Sequence, residues 1–249
     1  LLQAESRDPA AFDLRPERVA QKGLSILHLL AGIAASREGR AGAGIANIMQ
    51  SGWAPSTPEA ARLINAALVL CADHELNVSA FTARCVASAG SSPYSVVIAG
   101  LAALQGVKHG GVTRRVQALF QEVGSPGRAH AVLSGRLKRG ETIPGFGHPL
   151  YPDGDPRARL LLELLRRVAT PNQLDLAQAI ARQAQRLIGE LPTIDFALVC
   201  LASALEFPED AAIMMFAIGR TVGWIAHAIE QYRTNVLIRP RARYIGPQP

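Results

Sequence analysis

Three polar residues stand in local settings unlike the rest of the chain: His109 in KHGG, His148 in GFGHP and Asp195 in LPTIDFALV. Gly110 and Gly111 follow the first histidine, and Gly145 and Gly147 precede the second, so that a ligand and the backbone could approach both rings closely. Asp195 heads the apolar run Phe196 to Leu201, where desolvation raises a carboxyl's pKa and makes it a better base. Two neutral imidazole donors facing such a carboxylate suit removal of a carbon-bound proton next to a carbonyl, the donors stabilising the resulting enolate oxygen. Taken singly, each also has a bland explanation. A histidine beside glycines can be a turn residue meeting a carbonyl, and an aspartate after Pro-Thr-Ile can be a helix cap.

Three arginines extend the constellation. Arg157 follows Asp-Pro at a helix start, Arg220 interrupts the apolar run MMFAIGRTVGWIAHAIEQ, and Arg239 stands before a proline in IRPRARY. A guanidinium on an apolar helix face is costly without an acceptor, so Arg220 needs an anionic partner, either an acidic side chain or a ligand. Together the three forks point to a substrate with two or more carboxylates.

The elements that must position these groups read as helix after helix, and the fold class is all-α. Thr57-Pro58, Ser92-Pro93, Asp155-Pro156 and Thr170-Pro171 each place a capping side chain before a proline at a first helical position. Further helices are expected over 14–36, 78–89, 112–122, 129–138, 173–188, 196–206 and 209–232. Tyr94 to Leu104 is apolar almost all round and should be central, with Gly106 near its stop. Only Val236 to Ile245 looks extended, and Pro240 with three arginines suits an edge or a tail. Glycine and proline at 106–111 and the return near Phe207-Pro208 divide the chain into a large domain, 1–105 with 207–249, and an inserted smaller one, 106–206.

Composition narrows the function classes. With 249 residues, 49% apolar and 18% charged, the chain can bury a core and is not a disordered segment. No uninterrupted apolar run reaches the roughly 18–20 residues of a membrane span, and charges through the first twenty residues exclude a signal-peptide core, so a soluble, cytoplasmic protein is expected. The net charge of +6 forms no long basic run, and aromatics are 5% without a basic-aromatic pattern, which argues against nucleic acid. Cys71, Cys85 and Cys200 sit far apart in apolar helical stretches and read as buried free thiols. His28, His130 and His227 lack acidic partners at metal spacing, and Trp53 and Trp224 read as packing residues. The basic stretch GSPGRAHAVLSGRLKRG reads as a solvated helix face, with contact to a phosphate-bearing cofactor as the functional alternative.

The chain resembles the citrate synthase family. ADHELNVSAFTARCVASAGSSPYSVVIAGLAALQGVKHGG is similar to that family's His-Glu-x-Asn-x-Ser helix pair leading to a His-Gly-Gly turn. PGFGHPLYPDGDPRA resembles its Gly-Phe-Gly-His loop with Asp-Pro-Arg, TIDFA its catalytic aspartate, and FAIGRTVGWIAHAIEQ with IRPRARYIG its two C-terminal arginine segments. Five motifs occur in order over residues 70–246. The resemblance implies an all-helical, two-domain homodimer that closes on its substrates. Oxaloacetate would be held by His74, Asn77, His148, Arg157, Arg220 and, from the partner subunit, Arg239. Asp195 would take the methyl proton of acetyl-CoA, His109 would bond the enol oxygen, and His148 would polarise the ketone. Hydrolysis of citryl-CoA would release citrate and CoA, with no metal and no tightly bound cofactor. The resemblance also implies either that the large domain's N-terminal part lies outside the chain or that the chain represents a shortened branch of the family.

The chain departs from the family pattern at Pro149, Pro152 and Asp153, where basic residues are usual, and at Val112 and Thr113, where a small residue and Asn are usual. These changes would touch contacts to CoA or the ketoacid and the segment beside the enol. Beside the synthase reading stand a 2-methylcitrate synthase using propionyl-CoA, a citryl-CoA lyase running the carbon-carbon step backwards, and a non-catalytic ligand sensor.

Overall fold

The computed structural model describes residues 1–36 and 43–247; residues 248 and 249, the end of the expected large-domain segment, lie outside them. Among the described residues the chain is all-helical, with no strand and a single isolated bridge between Phe146 and Pro192. In chain order the helices are α1 (Leu2–Ser6), α2 (Pro16–Ala34), α3 (Ile45–Trp53), α4 (Ala60–Cys71), α5 (Val78–Ser88), α6 (Pro93–Leu104), α7 (Gly111–Val123), α8 (Ala129–Lys138), α9 (Pro156–Arg166), α10 (Pro171–Ile188), α11 (Ile194–Ala204) and α12 (Ala211–Thr234).

Helix α12 is the axis of one packing group, touching α2, α4, α5 and α6. It is the one described helix long and apolar enough to cross a membrane, yet its most apolar window is 61% buried inside the protein, which makes it a core helix here. Two glycines one turn apart let it lie against α4: a Cβ on Gly219 would stand 2.6 Å from the Leu68 carbonyl, and one on Gly223 2.2 Å from that of Ala72. That close approach carries the buried Arg220 to the C-terminal end of α4, beside the segment that bears His74.

Helix α11 is the axis of the second group and packs on α7, α9 and α10, with α8 leaning on α10. Its apolar residues face protein on nearly every side, as the run after Asp195 predicts. Contacts between α11 and α12 and between α4 and α9 join the groups, and their apolar residues merge into one cluster.

Three of the four expected caps form. Ser92 accepts the Ser95 amide, Asp155 accepts that of Arg157, and Thr170 with Gln173 makes a capping box. At Thr57-Pro58 the amides of Ala60 and Ala61 instead bond back three residues, at 3.0 and 3.2 Å, and the α-helix begins only at Ala60. Helix α3 has no counterpart among the expected helices. It is short and starts at Gly44 without a side-chain cap, yet it buries Ala46, Ile48, Met49 and Trp53. Residues 236–245 form no strand and are mostly exposed, in keeping with a tail.

Candidate active site

A cleft of about 430 Å³ opens where α7, α9, α11 and α12 meet the 74–77 and 142–149 segments. Every expected site residue lines it except Arg239: His74, Asn77, His109, His148, Arg157, Asp195 and Arg220 all reach its walls. Arg239 lies exposed on the C-terminal segment, outside its own chain's cleft. Among the described residues no group of three His, Cys, Asp or Glu side chains gathers as a metal site.

His148 is held by main-chain pairing. The Gly147 amide donates to the Leu191 carbonyl at 3.0 Å and the Thr193 amide to that of Gly145 at 2.9 Å, which ties its loop to the start of α11. Gly145 and Gly147 have φ of +86° and +75°. A Cβ on the first would press on Val116 and Phe196, and one on the second on Glu190. The glycines beside His148 therefore let the loop turn and seat against the protein, which corrects the expectation that they clear space for a ligand. Those after His109 behave alike, since a Cβ on Gly110 would meet the Leu104 carbonyl at 2.5 Å. The Leu150 amide donates to His148 Nδ1 at 3.2 Å, so a neutral ring keeps its hydrogen on Nε2.

His74 meets the His148 ring edge-on at 5.5 Å between centroids, and its Nε2 lies 2.7 Å from the Tyr151 hydroxyl. Burial, then the nearby Arg157, His148 and Arg220, hold His74 below the usual imidazole pKa. His109 is also lowered, first by burial and then by Arg220. Both rings are therefore neutral at neutral pH. The Nε2 of His109 lies 2.8 Å from the Ser79 hydroxyl, which also takes the Trp224 indole N–H at 3.2 Å. That leaves Nδ1 as the ring nitrogen without a protein partner among the described residues. Asn77 lines the cleft, but Oδ1 caps α5 through the Ser79 and Ala80 amides and Nδ2 donates to the His74 carbonyl, so its polar atoms chiefly shape the wall.

Asp195 sits half-buried in the first turn of α11, with Thr193 at the N-cap, so it is not the cap itself. Burial raises its pKa, opposed by a 2.5 Å hydrogen bond from Thr113 Oγ1 and by the charge of Arg157. Arg157 is gripped by Asp155 through Nε at 3.0 Å and Nη2 at 2.8 Å. Burial pushes the Asp155 carboxyl up, but the Arg157 guanidinium and the two amides it accepts outweigh this and hold it below the ordinary range.

Arg220 is 1% exposed. Its Nε donates to the Cys71 carbonyl at 2.8 Å, its guanidinium stands 5.3 Å from the Phe216 ring, and Nη1 is buried without a partner. Among the described residues no carboxylate reaches it as an ion pair, which removes the structural alternative left open by the sequence. An uncompensated buried cation at a cleft wall is a place for an anion.

The model of the citrate synthase C-terminal domain matches residues 25–241. The chain belongs to the citrate synthase family. It is 37% identical over 201 residues to citrate synthase 2 of Bacillus subtilis strain 168, covering 79% of this chain and 54% of that one. It superposes on citrate synthase of Thermotoga maritima with a TM-score of 0.79 at 28% identity, over 97% of this chain and 73% of that one. Citryl-CoA lyase of Hydrogenobacter thermophilus gives 0.72 at 28% identity, over 84% and 86%. The chain spans about half the length of the first curated relatives it matches.

Within this family frame, several cleft contacts go beyond what the sequence predicts. Lys108 and Arg115 line the cleft, and their signal is a basic residue on either side of the His-Gly-Gly turn. Ser79 lies inside the His-Glu-x-Asn-x-Ser motif, and its role against His109 emerges only in the fold. Trp224 does more than pack, since its indole N–H donates to that serine. Tyr151, between two prolines, carries no local signal for its contact with His74. Thr113 is a departure from the family pattern beside the His-Gly-Gly turn, yet it lies inside α7 and holds Asp195. The basic stretch behaves as the solvated face expected: Arg136 and Arg139 pair with Glu122 and Glu141.

Proposed function

We propose that the chain joins the enol of acetyl-CoA to oxaloacetate and releases citrate and CoA. The observation that supports this most is the meeting of His109, His148, Asp195 and the uncompensated Arg220 in one cleft. Asp195 takes the methyl proton, and His109 hydrogen-bonds the enol oxygen. The enol carbon attacks the ketone of oxaloacetate, whose oxygen is polarised by His148 Nε2 and gains the proton. Water then cleaves the thioester, giving a carboxylate and the CoA thiol. Arg157, Arg220 and His74 hold the ketoacid, with Asn77 shaping that wall. Arg239 completes the site from the partner subunit of a homodimer, consistent with its exposure outside its own cleft. CoA itself is the only cofactor the chemistry calls for. We place the reaction in the cytoplasm and the large and small domains at 1–105 with 207–249 and at 106–206, closing over the cleft between the two helix groups.

CoA thiol release from acetyl-CoA and oxaloacetate, lost in Asp195→Ala, is the test. Propionyl-CoA in the same assay tests the 2-methylcitrate variant. A second reading, citryl-CoA cleavage by the same residues in reverse, draws on the structural likeness to the lyase of Hydrogenobacter thermophilus and on Pro149 directly after His148. Citryl-CoA consumed with no forward thiol release would select it, and ketoacid binding with no turnover in either direction would select a sensor.

A further inference from the structure

Thr113 is 1% exposed and lies in the first turn of α7, and its hydroxyl donates to Asp195 Oδ1 at 2.5 Å. It is the one side chain among the described residues that hydrogen-bonds this carboxylate. We propose that Thr113 is a positioning residue for Asp195, fixing the carboxylate through Oδ1 so that Oδ2 is the atom presented to the carbon acid. The inference rests on the reading of Asp195 as the base.

Three features carry it. A carboxylate on a single-bonded stem rotates unless one oxygen is held, and a buried hydroxyl has one hydrogen and here one recipient. The same donor favours the charged form, and the place of Asp195 in the first turn of α11 adds that helix's positive end, so that a base set in an apolar helix can still ionise. Finally, the turn that carries Thr113 also carries His109: the Val112 amide bonds to the His109 carbonyl at 2.9 Å and the Thr113 amide to that of Gly110 at 3.1 Å. The donor to the enol oxygen and the tether of the base are therefore one rigid unit. Closure of the cleft cannot change the spacing between proton donor and base without breaking the hydrogen bond.

Arg157 and Asp155 at the start of α9 act on Asp195 through their charges, and the cleft it lines also holds Arg220 on α12, Lys108 and Arg115 about the start of α7, and His74, His109 and His148. Helix α10 also packs on α11, but its Asp175, Arg182 and Arg186 are exposed. Thr113 is the uncharged group whose removal leaves all of these in place.

The test compares wild type with Thr113→Val, Thr113→Ala and Thr113→Ser, reading the carboxyl 13C titration of Asp195, the pH profile of kcat, and KM for acetyl-CoA. Removing the hydroxyl should raise the Asp195 titration and the acid limb of kcat by about one pH unit. It should lower kcat at neutral pH about tenfold with KM within about twofold, and serine should restore both. An unchanged titration in the alanine and valine variants, or a serine variant as impaired as valine, overturns the inference. If valine fails to fold, the titration of the alanine variant decides alone. Wild type that releases no CoA thiol overturns the functional reading instead, while the 13C titration still decides whether Thr113 governs the carboxylate.

Discussion

Asp155 Oδ2 accepts the main-chain N–H of Ile194 at 3.0 Å, so the residue that caps α9 also fixes the first turn of α11, one residue from Asp195. The same carboxylate grips Arg157, and both lie largely out of solvent. Arg157 on α9 and Asp195 on α11 are thus placed by one buried side chain.

Asp155→Ala removes the cap, the ion pair and the partner of the Ile194 amide together. The expected loss is about 3 kcal/mol, because the Arg157 charge is left without its counter-ion. For a chain of this size that is a fall in Tm of about 6–12 °C. The pH dependence has a definite sign: a carboxyl lowered in the fold stabilises above its unfolded pKa of about 3.9, and that contribution is lost as pH falls through the lower folded value. Thermal melts of wild type and variant should converge in acid and stand furthest apart near neutrality. Equal melting at pH 7 would show the pair to be ornamental.

Asp195→Asn should separate activity from stability. CoA thiol release should fall about 10²–10⁴-fold, the range for a lost general base. The fold should gain, since burial holds this carboxyl above its ordinary pKa and its ionised form is a cost at neutral pH. That cost appears as pH rises from about 4 through the raised folded value. The variant should therefore melt above wild type at pH 8 and match it near pH 4. A variant that melts lower at every pH would mean that the carboxylate is structural.

How much of the fold and the site is legible in the sequence follows from which interactions are local. Helix caps such as Ser92-Pro93 and Asp155-Pro156 are decided within three residues, and the sequence shows them. Asp195 is recognisable because it breaks into an apolar run, and Arg220 for the same reason. Contact between residues far apart in the chain, Thr113 with Asp195 or Ser79 with His109, is not legible, because nothing local demands it. The glycines around His148 mislead for a related reason. Their positions are visible, but whether an absent side chain makes room for a ligand or for Val116 and Glu190 depends on the packed fold. Helix α3 lacks a capping residue and is held by the packing of its buried face on α2 and α4, which no local pattern announces.

Gly223→Ala and Gly147→Ala make a paired test of that distinction. At Gly223 the new methyl would collide with the fixed carbonyl of Ala72, so α12 must move from α4, at about 1–3 kcal/mol. Because Arg220 and the His74 segment straddle that contact, ketoacid affinity should fall as well. At Gly147 the obstacle is the flexible end of Glu190, which can swing away, and the cost is that of a left-handed backbone, about 1–2 kcal/mol. Melting and oxaloacetate titration on both variants check the contrast; it fails if Gly223→Ala melts and binds as wild type.

Arg220→Met asks whether the buried cation serves the fold or a ligand. An arginine in a structural ion pair would, on replacement, strand a buried carboxylate and lower Tm sharply. Arg220 has no carboxylate to strand among the described residues; it gives up one hydrogen bond to the Cys71 carbonyl and the face of Phe216. Methionine fills a similar volume without the desolvation cost of the charge, so Tm should hold or rise. Oxaloacetate affinity, in contrast, should drop about 100-fold or more, the scale on which a buried charge-assisted contact acts. Calorimetric titration with oxaloacetate alone reads this without turnover. Unchanged affinity with a lowered Tm would assign Arg220 to the fold and leave the cleft without its deepest positive charge.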